Sequence, residues 1–318
     1  MSATLTATEI LQDTLEAFKI QFPMLTGPDG FGTDLSPKLA VKDQTIMAHI
    51  AQVPSTATYD ATTGFKNGAQ NAKDLLVDVP VVMDTLTHCP VKIAYLDAIS
   101  TFVNKYQKAI SAVAYALGKS VVDSVLTKAA LAANLTYSKT ETVANTSRDT
   151  LSSLTALLNA HGAMPQGRYG IVNSNVFNAL DADSRIASDL FHGERRNGDA
   201  YGFIQNVAGF KNIWEYPSLP TTANLTGIFA DQRAIVVASR VPDMSQAVAS
   251  QFGVPQIASF EVVSDPESGL SMLGIKWQEA GTFDIYMTMA VLFGSAVGAQ
   301  GGSAGTIADK AGYRLISS

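Results

Sequence analysis

No proline occurs between Pro90 and Pro165, a stretch long enough to hold one uninterrupted helix of unusual length. Within it Ile99, Phe102, Val103, Tyr106, Ile110, Val113, Leu117, Val121 and Val125 recur at steps of three and four, the spacing of one helical face. The spacing predicts a helix from near Asp97, a suitable N-cap, to near Ala133. At about 1.5 Å per residue that is a rod on the order of 50 Å, whereas helices in globular proteins average about 11–12 residues. Gly118 alone interrupts it, at about 1 kcal/mol relative to alanine. Ala109, Ala112, Ala114 and Ala116 flank the apolar stripe and leave room for a close neighbour.

A rod with an apolar face needs other elements to cover it. Before it, Ser2 to Phe22 carries Leu5, Ile10, Leu11, Leu15, Phe18 and Phe22 at helical spacing, with Thr6 or Thr8 able to cap the start and Pro23 closing the pattern. The run Gly27 to Gly32 is loop chemistry. Up to Leu35 the acids Glu9, Asp13, Glu16, Asp29 and Asp34 face only Lys19. A short acidic helix on a glycine-bearing tether reads as an arm that docks on something else. From Leu75 to Met83 the period changes to two, with Leu75, Val77, Val79, Val81 and Met83 on one side. Pro80 cannot donate a ladder hydrogen bond, so this is an edge strand. Paired with the run Ile46–Val53 across the polar stretch Thr56 to Asn71, it predicts a long hairpin with a wide tip. A lone hairpin is marginal in water, so it is expected to lie on a neighbour, in the simplest case another subunit.

After the rod the pattern alternates. A helix over Asp149–Ala160 precedes a strand at Tyr169–Val172. A short helix near Val176–Leu180 follows, capped by Asn173 or Ser174. Phe191 to Gly202 is irregular and polar, and Val207 to Pro220 reads as strand and turn. Ser259–Val263, Leu270–Gln278 and Phe283–Phe293 form an antiparallel meander joined by turn-rich segments. A flexible glycine-rich tail and a last strand within 308–316 close the chain.

Composition narrows the function classes. Hydrophobic residues make up 47% of the 318 and charged residues only 16%, against about 25% in ordinary soluble domains. With a mean hydropathy of +0.13, such a chain is expected to bury surface against copies of itself. Its net charge of −6 lacks the basic balance of a nucleic-acid binder. The single cysteine, Cys89, closes no intrachain disulfide and suits a reducing compartment. The N-terminus has no signal-peptide pattern, and no run of 18 uncharged apolar residues predicts a membrane span.

The residues that carry chemistry do not converge. Gly118-Lys119-Ser120 ends like a phosphate loop, but Val113 stands where the first glycine belongs. His49, His88, His161 and His192 are scattered, and His88 and Cys89, adjacent on a strand, point to opposite faces. Gly294-Ser295-Ala-Val-Gly298 lacks the order of a nucleophile elbow. Asp181 and Asp183, or Asp265 and Glu267, sit where carboxylates commonly end helices or make turns. No catalytic, cofactor or metal site is expected, and the protein is read as not an enzyme.

The order of arm, long hairpin, long helix, mixed α/β segment and meander resembles the major capsid proteins of tailed bacteriophages, the Hong Kong 97-type fold. Gly162 to Asp183, Asn206 to Pro220 and Ser264 to Gly298 resemble segments of that family in sequence and in order. The resemblance implies an α+β fold. Its parts are an N-terminal arm (1–36), an extended β-hairpin loop (37–92), a peripheral domain of spine helix and β meander (93–148 and 246–295) and an axial domain (149–245 and 296–318). It implies a coat protein that assembles into pentamers and hexamers of an icosahedral head around double-stranded DNA, built in the bacterial cytoplasm and resident in the virion. Its partners would be itself, a separate scaffolding protein, a portal and a decoration protein, with no cofactor and no membrane. Phe18, Phe22, Phe65, Lys66 and the basic pair Arg195 and Arg196 are the candidate subunit contacts. Some family members cleave off a long scaffolding segment; with the arm starting near Met1, no proteolytic maturation is expected. Others join a loop lysine to a late asparagine. Lys66 and Lys73 offer amines, but no asparagine follows Asn224, so no covalent chainmail is expected. An encapsulin-type nanocompartment shell is the nearest alternative, an α/β enzyme of unknown type the second, and a decoration or tail-tube protein the third.

Overall fold

The computed structural model describes residues 7–27, 29–51, 54–69, 75–93, 102–187, 203–243, 257–266, 268–278 and 284–318. The long helix, α3 (Phe102–Ala130), spans 29 residues and organises the rest. Its expected start near Asp97 lies outside the described residues, and it ends three residues before Ala133. Ile110, Val113, Leu117, Val121 and Val125 are all buried in the main core, as the sequence spacing requires. By length and composition alone Ile110–Ala130 is apolar enough to cross a membrane, but half of it is buried inside the fold. Its last carbonyl and that of Leu135 beyond it are met by the far end of the chain. Arg314 Nε donates to Leu135 O at 2.8 Å and Nη1 to Ala130 O at 3.4 Å, placing a buried cation at the negative end of the helix.

The first helix, α1 (Ala7–Gln21), covers that rod from within the same chain. Ile10, Leu11, Leu15 and Phe18 are buried in the core that α3 lines, and Thr14 donates to Ile10 O and to the Met289 sulfur. Lys19 pairs with Asp265 at 2.9 Å. The expectation of an arm docked elsewhere is corrected here: the apolar face is satisfied by the chain's own sheet and helix. Pro23 ends α1 but also opens a one-turn helix, α2 (Pro23–Thr26), where its missing N–H costs nothing.

The glycine-bearing loop leads into a strand that periodicity did not reveal. This strand, β1 (Gly32–Ala40), runs parallel to β10 (Ile235–Pro242), with a register break between Leu35 and Leu39 that contains Pro37. Proline is tolerated there because β1 lies at the sheet edge. The hairpin strands β2 (Thr45–Ala51) and β3 (Leu76–Val82) pair as expected, Met47 opposite Pro80 and His49 opposite Asp78. The next strand, β4 (Thr85–Ile93), lies antiparallel to the long strand β13 (Ile285–Val297). The opposite edge of β13 is shared end to end: β12 (Ser271–Gln278) pairs with 285–290 and β10 with 292–297. The meander closes with β11 (Ile257–Ser264) against β12.

Alternation along β13 separates two layers. Met287, Met289, Val291 and Phe293 face the core that holds α1 and α3. Leu292 and Ala296 face the hairpin, whose Ala48, Ile50, Val79, Val81 and Met83 rest on them and on Val236 and Ala238. The hairpin root therefore lies on its own chain's first sheet, where a neighbour was expected to supply that support.

The other sheet has the order β5 (Ser138–Thr140), β14 (Gly312–Ile316), β9 (Leu225–Ala230), β6 (Tyr169–Val172), β8 (Phe210–Glu215), β7 (Phe203–Val207). The helices α4 (Arg148–Ala160) and α5 (Ser174–Ala182) cover one face through Leu151, Leu154, Leu158, Val176, Phe177 and Leu180, and α6 (Ser184–Ala187) follows. Asn173 is the cap of α5, accepting from Val176 N at 2.9 Å. The other face, with Tyr169, Ile171, Trp214 and Ile228, joins the α3 core. Two strands fall across the expected boundaries: β10 belongs to the first sheet and β5 to the second. The glycine-rich stretch is not a free tail. Gly294 to Val297 extend β13, and Gly298 N donates to Ala234 O and Ala299 N to Asn134 O before α7 (Ile307–Lys310).

Candidate assembly surfaces

The hairpin tip is built around Asp60. Its backbone carbonyl accepts Gly64 N at 2.6 Å, and its carboxylate accepts Thr62 N at 2.9 Å and Thr63 Oγ1 at 3.1 Å. The Thr62 amide, with Thr63, holds this carboxyl below its ordinary pKa. Gly64 takes φ +62°, a left-handed value that a side chain disfavours, and Asn67 Nδ2 ties the turn to Thr58 O at 2.8 Å. The result is a pinned turn that presents two rings to solvent. Phe65 is 96% exposed and Tyr59 61% exposed, their centroids 5.1 Å apart. Phe65, one of the expected subunit contacts, is thus an exposed ring beside a preformed turn, unlike scattered surface apolar residues. Lys66 beside it is exposed and has no partner among the described residues.

Toward the root the outward hairpin face carries Met47, Leu76, Pro80 and Val82, all exposed, around a His49–Asp78 pair at 2.7 Å. Leu39 and Val41, where β1 ends, are also more than half exposed. Sequence pattern could have found the face, because residues 45, 47, 49 and 78, 80, 82 are the alternates of the buried positions. Tyr59 carried no such signal.

Phe18 and Phe22, expected as subunit contacts, are buried at 2% and 3% exposure among the chain's own residues. Phe22 packs between Phe18 and Tyr115 at 5.8 and 5.7 Å, over Gly118. Arg195, Arg196 and Lys73 lie outside the described residues.

Between the hairpin root, the start of β1 and the 231–236 turn lies a cleft of about 230 Å³. Ala48, Ile50, Met164 and Val236 give it an apolar floor and Thr33, Asp34 and His49 a polar rim. Its inner wall is a buried ion pair, Arg233 to Asp231 at 2.6 Å, with Asp231 also accepting Met164 N. Nearby Arg168, 1% exposed, donates to Met164 O, Ala163 O and Asn159 Oδ1. These charges close the 159–168 loop onto the sheet. Burial pushes the neighbouring Tyr169 phenol far above its ordinary pKa, and the Asp231 charge adds to the rise. Cys89 is half-buried, and burial raises its thiol too, away from the reactive thiolate. Among the described residues no group of three or more His, Cys, Asp or Glu side chains is placed to hold a metal ion.

No family model matches the chain, and no curated protein matches it. Solved structures do. A chain from Mycobacterium phage Che8, 16% identical, aligns over 86% of this chain and 85% of its own with a TM-score of 0.51. The capsid structure of the cyanophage P-SCSP1u, 14% identical, aligns over 91% of this chain and 86% of its own with a TM-score of 0.50. The chain carries a tailed-phage capsid fold. At these identities the likeness extends to backbone architecture and not to particular side chains. Within a capsid fold the pinned tip and the bare outer face of the hairpin stand out as places where the chain has apolar surface left uncovered.

Proposed function

We propose that the protein is a shell-forming coat protein of the Hong Kong 97 type. It assembles into pentamers and hexamers of an icosahedral head that encloses double-stranded DNA, and its role is structural, not enzymatic. The observation that carries this reading is the shared capsid fold over most of the chain. In it α3 serves as spine helix with the first sheet as peripheral domain, the second sheet with α4 and α5 as axial domain, and β2–β3 with its tip as extended loop. The chemistry is in accord. A net charge of −6 keeps a shell's lining from adhering to packaged phosphates. Exposed apolar positions on the hairpin supply area toward the roughly 1,600 Å² of a standard interface. Scaffolding, portal and decoration proteins are the partners such a shell would recruit, and the virion is where it would reside.

Electron microscopy of the protein expressed alone, and again with its neighbouring genes, tests this. Closed shells of uniform diameter, or rings of five and six, are the expected result, with DNA inside them in the second case. A monodisperse monomer or dimer under both conditions overturns it. Shells holding protein and never DNA would make it a nanocompartment instead.

A further inference from the structure

Two features described above are complementary, and in the chain as folded Phe65 is not among the residues that line the cleft. The tip offers a 96% exposed phenyl ring followed at once by Lys66, whose ammonium has no partner among the described residues. The cleft offers an apolar floor of Ala48, Ile50, Met164 and Val236 with a carboxylate at its rim. That carboxylate, Asp34, is only half engaged. Its Oδ2 accepts Arg240 Nη2 at 2.9 Å, while Oδ1 takes no hydrogen bond among the described residues, and the side chain is 32% exposed. A cavity of about 150 Å³ already admits benzene, so about 230 Å³ accommodates one ring.

We infer that the tip of one copy docks in this cleft of a second copy, Phe65 on the apolar floor and Lys66 Nζ on Asp34 Oδ1. The inference rests on the shell reading and names the contact through which copies join. The occupant is a second copy because the knob and its hole, with matching charge, are both present on this one chain, and the ring stands out in solvent instead of filling its own cleft. The turn pins Phe65 before binding, so little conformational entropy is lost on docking, the condition under which a single aromatic residue dominates an interface. The Lys66–Asp34 pair adds register: a ring alone fits many apolar hollows, but a ring with a cation one residue on fits one that has an acid at its rim.

The test uses wild-type particles assembled from an equal mixture of ¹⁴N- and ¹⁵N-labelled chains, treated with a zero-length carbodiimide and read by mass spectrometry. The expected product is an amide between Lys66 and Asp34 whose two peptides carry mixed isotopes, which identifies a bond between copies. Particles in which Lys66 couples to other carboxylates, or to none, overturn the inference and leave the shell reading standing. Failure of the wild-type chain to form any particle overturns the shell reading itself. In parallel, Phe65→Ala is expected to slow assembly at least tenfold while Phe65→Trp assembles within threefold of wild type. Assembly of F65A at the wild-type rate overturns the docking of this ring, and circular dichroism of the unassembled variant establishes that the fold is kept.

Discussion

Replacing Gly118 by alanine in the middle of an exposed helix would ordinarily stabilise it by about 1 kcal/mol. Here the opposite is expected. A Cβ built on Gly118 falls closer than 3.0 Å to both Cδ2 and Cε2 of Phe22, where carbon atoms in contact stand about 3.5–4.0 Å apart. The ring would have to retreat by roughly 1 Å or more, pushing against Phe18 and the half-exposed Tyr115. The Phe22 ring is 3% exposed and lies between these two. Overpacking of this kind costs about 1–3 kcal/mol, which equals or exceeds the propensity gain. The net effect is a loss of up to about 2 kcal/mol, or a few degrees in Tm for a chain of this size.

Urea unfolding of the unassembled subunit, followed by circular dichroism, measures it. The coupling is tested by a cycle with Phe22→Ala. That change alone is expected to cost about 3–5 kcal/mol, and adding Gly118→Ala to it should cost nothing further, because the methyl group then enters the space the ring has left. If Gly118→Ala stabilised the wild-type chain by the ordinary helix increment, the argument from Phe22 would be wrong, and the glycine would need another cause.

Three other outcomes follow from local chemistry. Burial works to raise the Asp265 pKa, but hydrogen bonds from Ser268 and the Lys19 ammonium outweigh it and hold the carboxyl at about 2, below its usual 3.8. Because the folded value is the lower one, its contribution is present above about pH 4 and lost as pH falls toward 2. The urea midpoint of wild type should therefore drop more steeply over that window than that of Asp265→Asn, and parallel curves would contradict this. Arg314→Met should cost about 1–3 kcal/mol by leaving the Ala130 and Leu135 carbonyls without a donor, measurable as a lowered urea midpoint; an unchanged midpoint would show that water replaces the guanidinium. Cys89, half-buried with its thiol pKa raised, should react with iodoacetamide at pH 8 at least tenfold more slowly in the fold than in urea, and equal rates would place it in open solvent.

Some of this fold is legible because a single period is enough to define an element. The α3 stripe, the alternation from Leu75 to Met83, the strand at Tyr169–Val172 and the meander each stood out in the sequence and lie at or within a few residues of the observed elements. The strands that escaped notice lack that period for physical reasons. The β1 strand is an edge strand broken at Pro37, so it needs no apolar alternation. Proline and polar residues interrupt β4, and β10 is buried along its whole length, which erases the contrast between faces. The glycines from Gly294 to Gly302 resemble a flexible tail, yet the backbones of Val82 and Asn134 approach Gly294 and Gly298 more closely than any Cβ would allow. Glycine there serves packing, and composition cannot distinguish that from freedom. The contact candidates divide the same way. Phe65 and Lys66 lie in a turn with no core pattern and are exposed. Phe18 and Phe22 belong to a helical stripe, which says that a face is buried but not against what.

The Gly294 contact also bears on how the hairpin can work. Val82 O rests on Gly294, and Val81, Met83 and Val79 beside it are fully buried against the first sheet, so the hairpin leaves the body in a direction set by backbone packing. At about 3.3 Å per residue, the seven residues of β3 carry that direction roughly 23 Å outward from the root. At the far end Asp60, Thr62, Thr63 and Asn67 close the tip into a single turn. A root fixed by packing and a tip closed by its own hydrogen bonds each have little freedom to lose when a partner arrives, so the apolar area they present converts more fully into affinity. The hairpin's outward face, by contrast, contributes nothing to the isolated chain: Met47, Pro80 and Val82 could be polar without loss to the core beneath them. On the proposed shell reading, contacts between copies account for why a chain with so few charged residues leaves this face apolar and places a bare phenylalanine at the end of it.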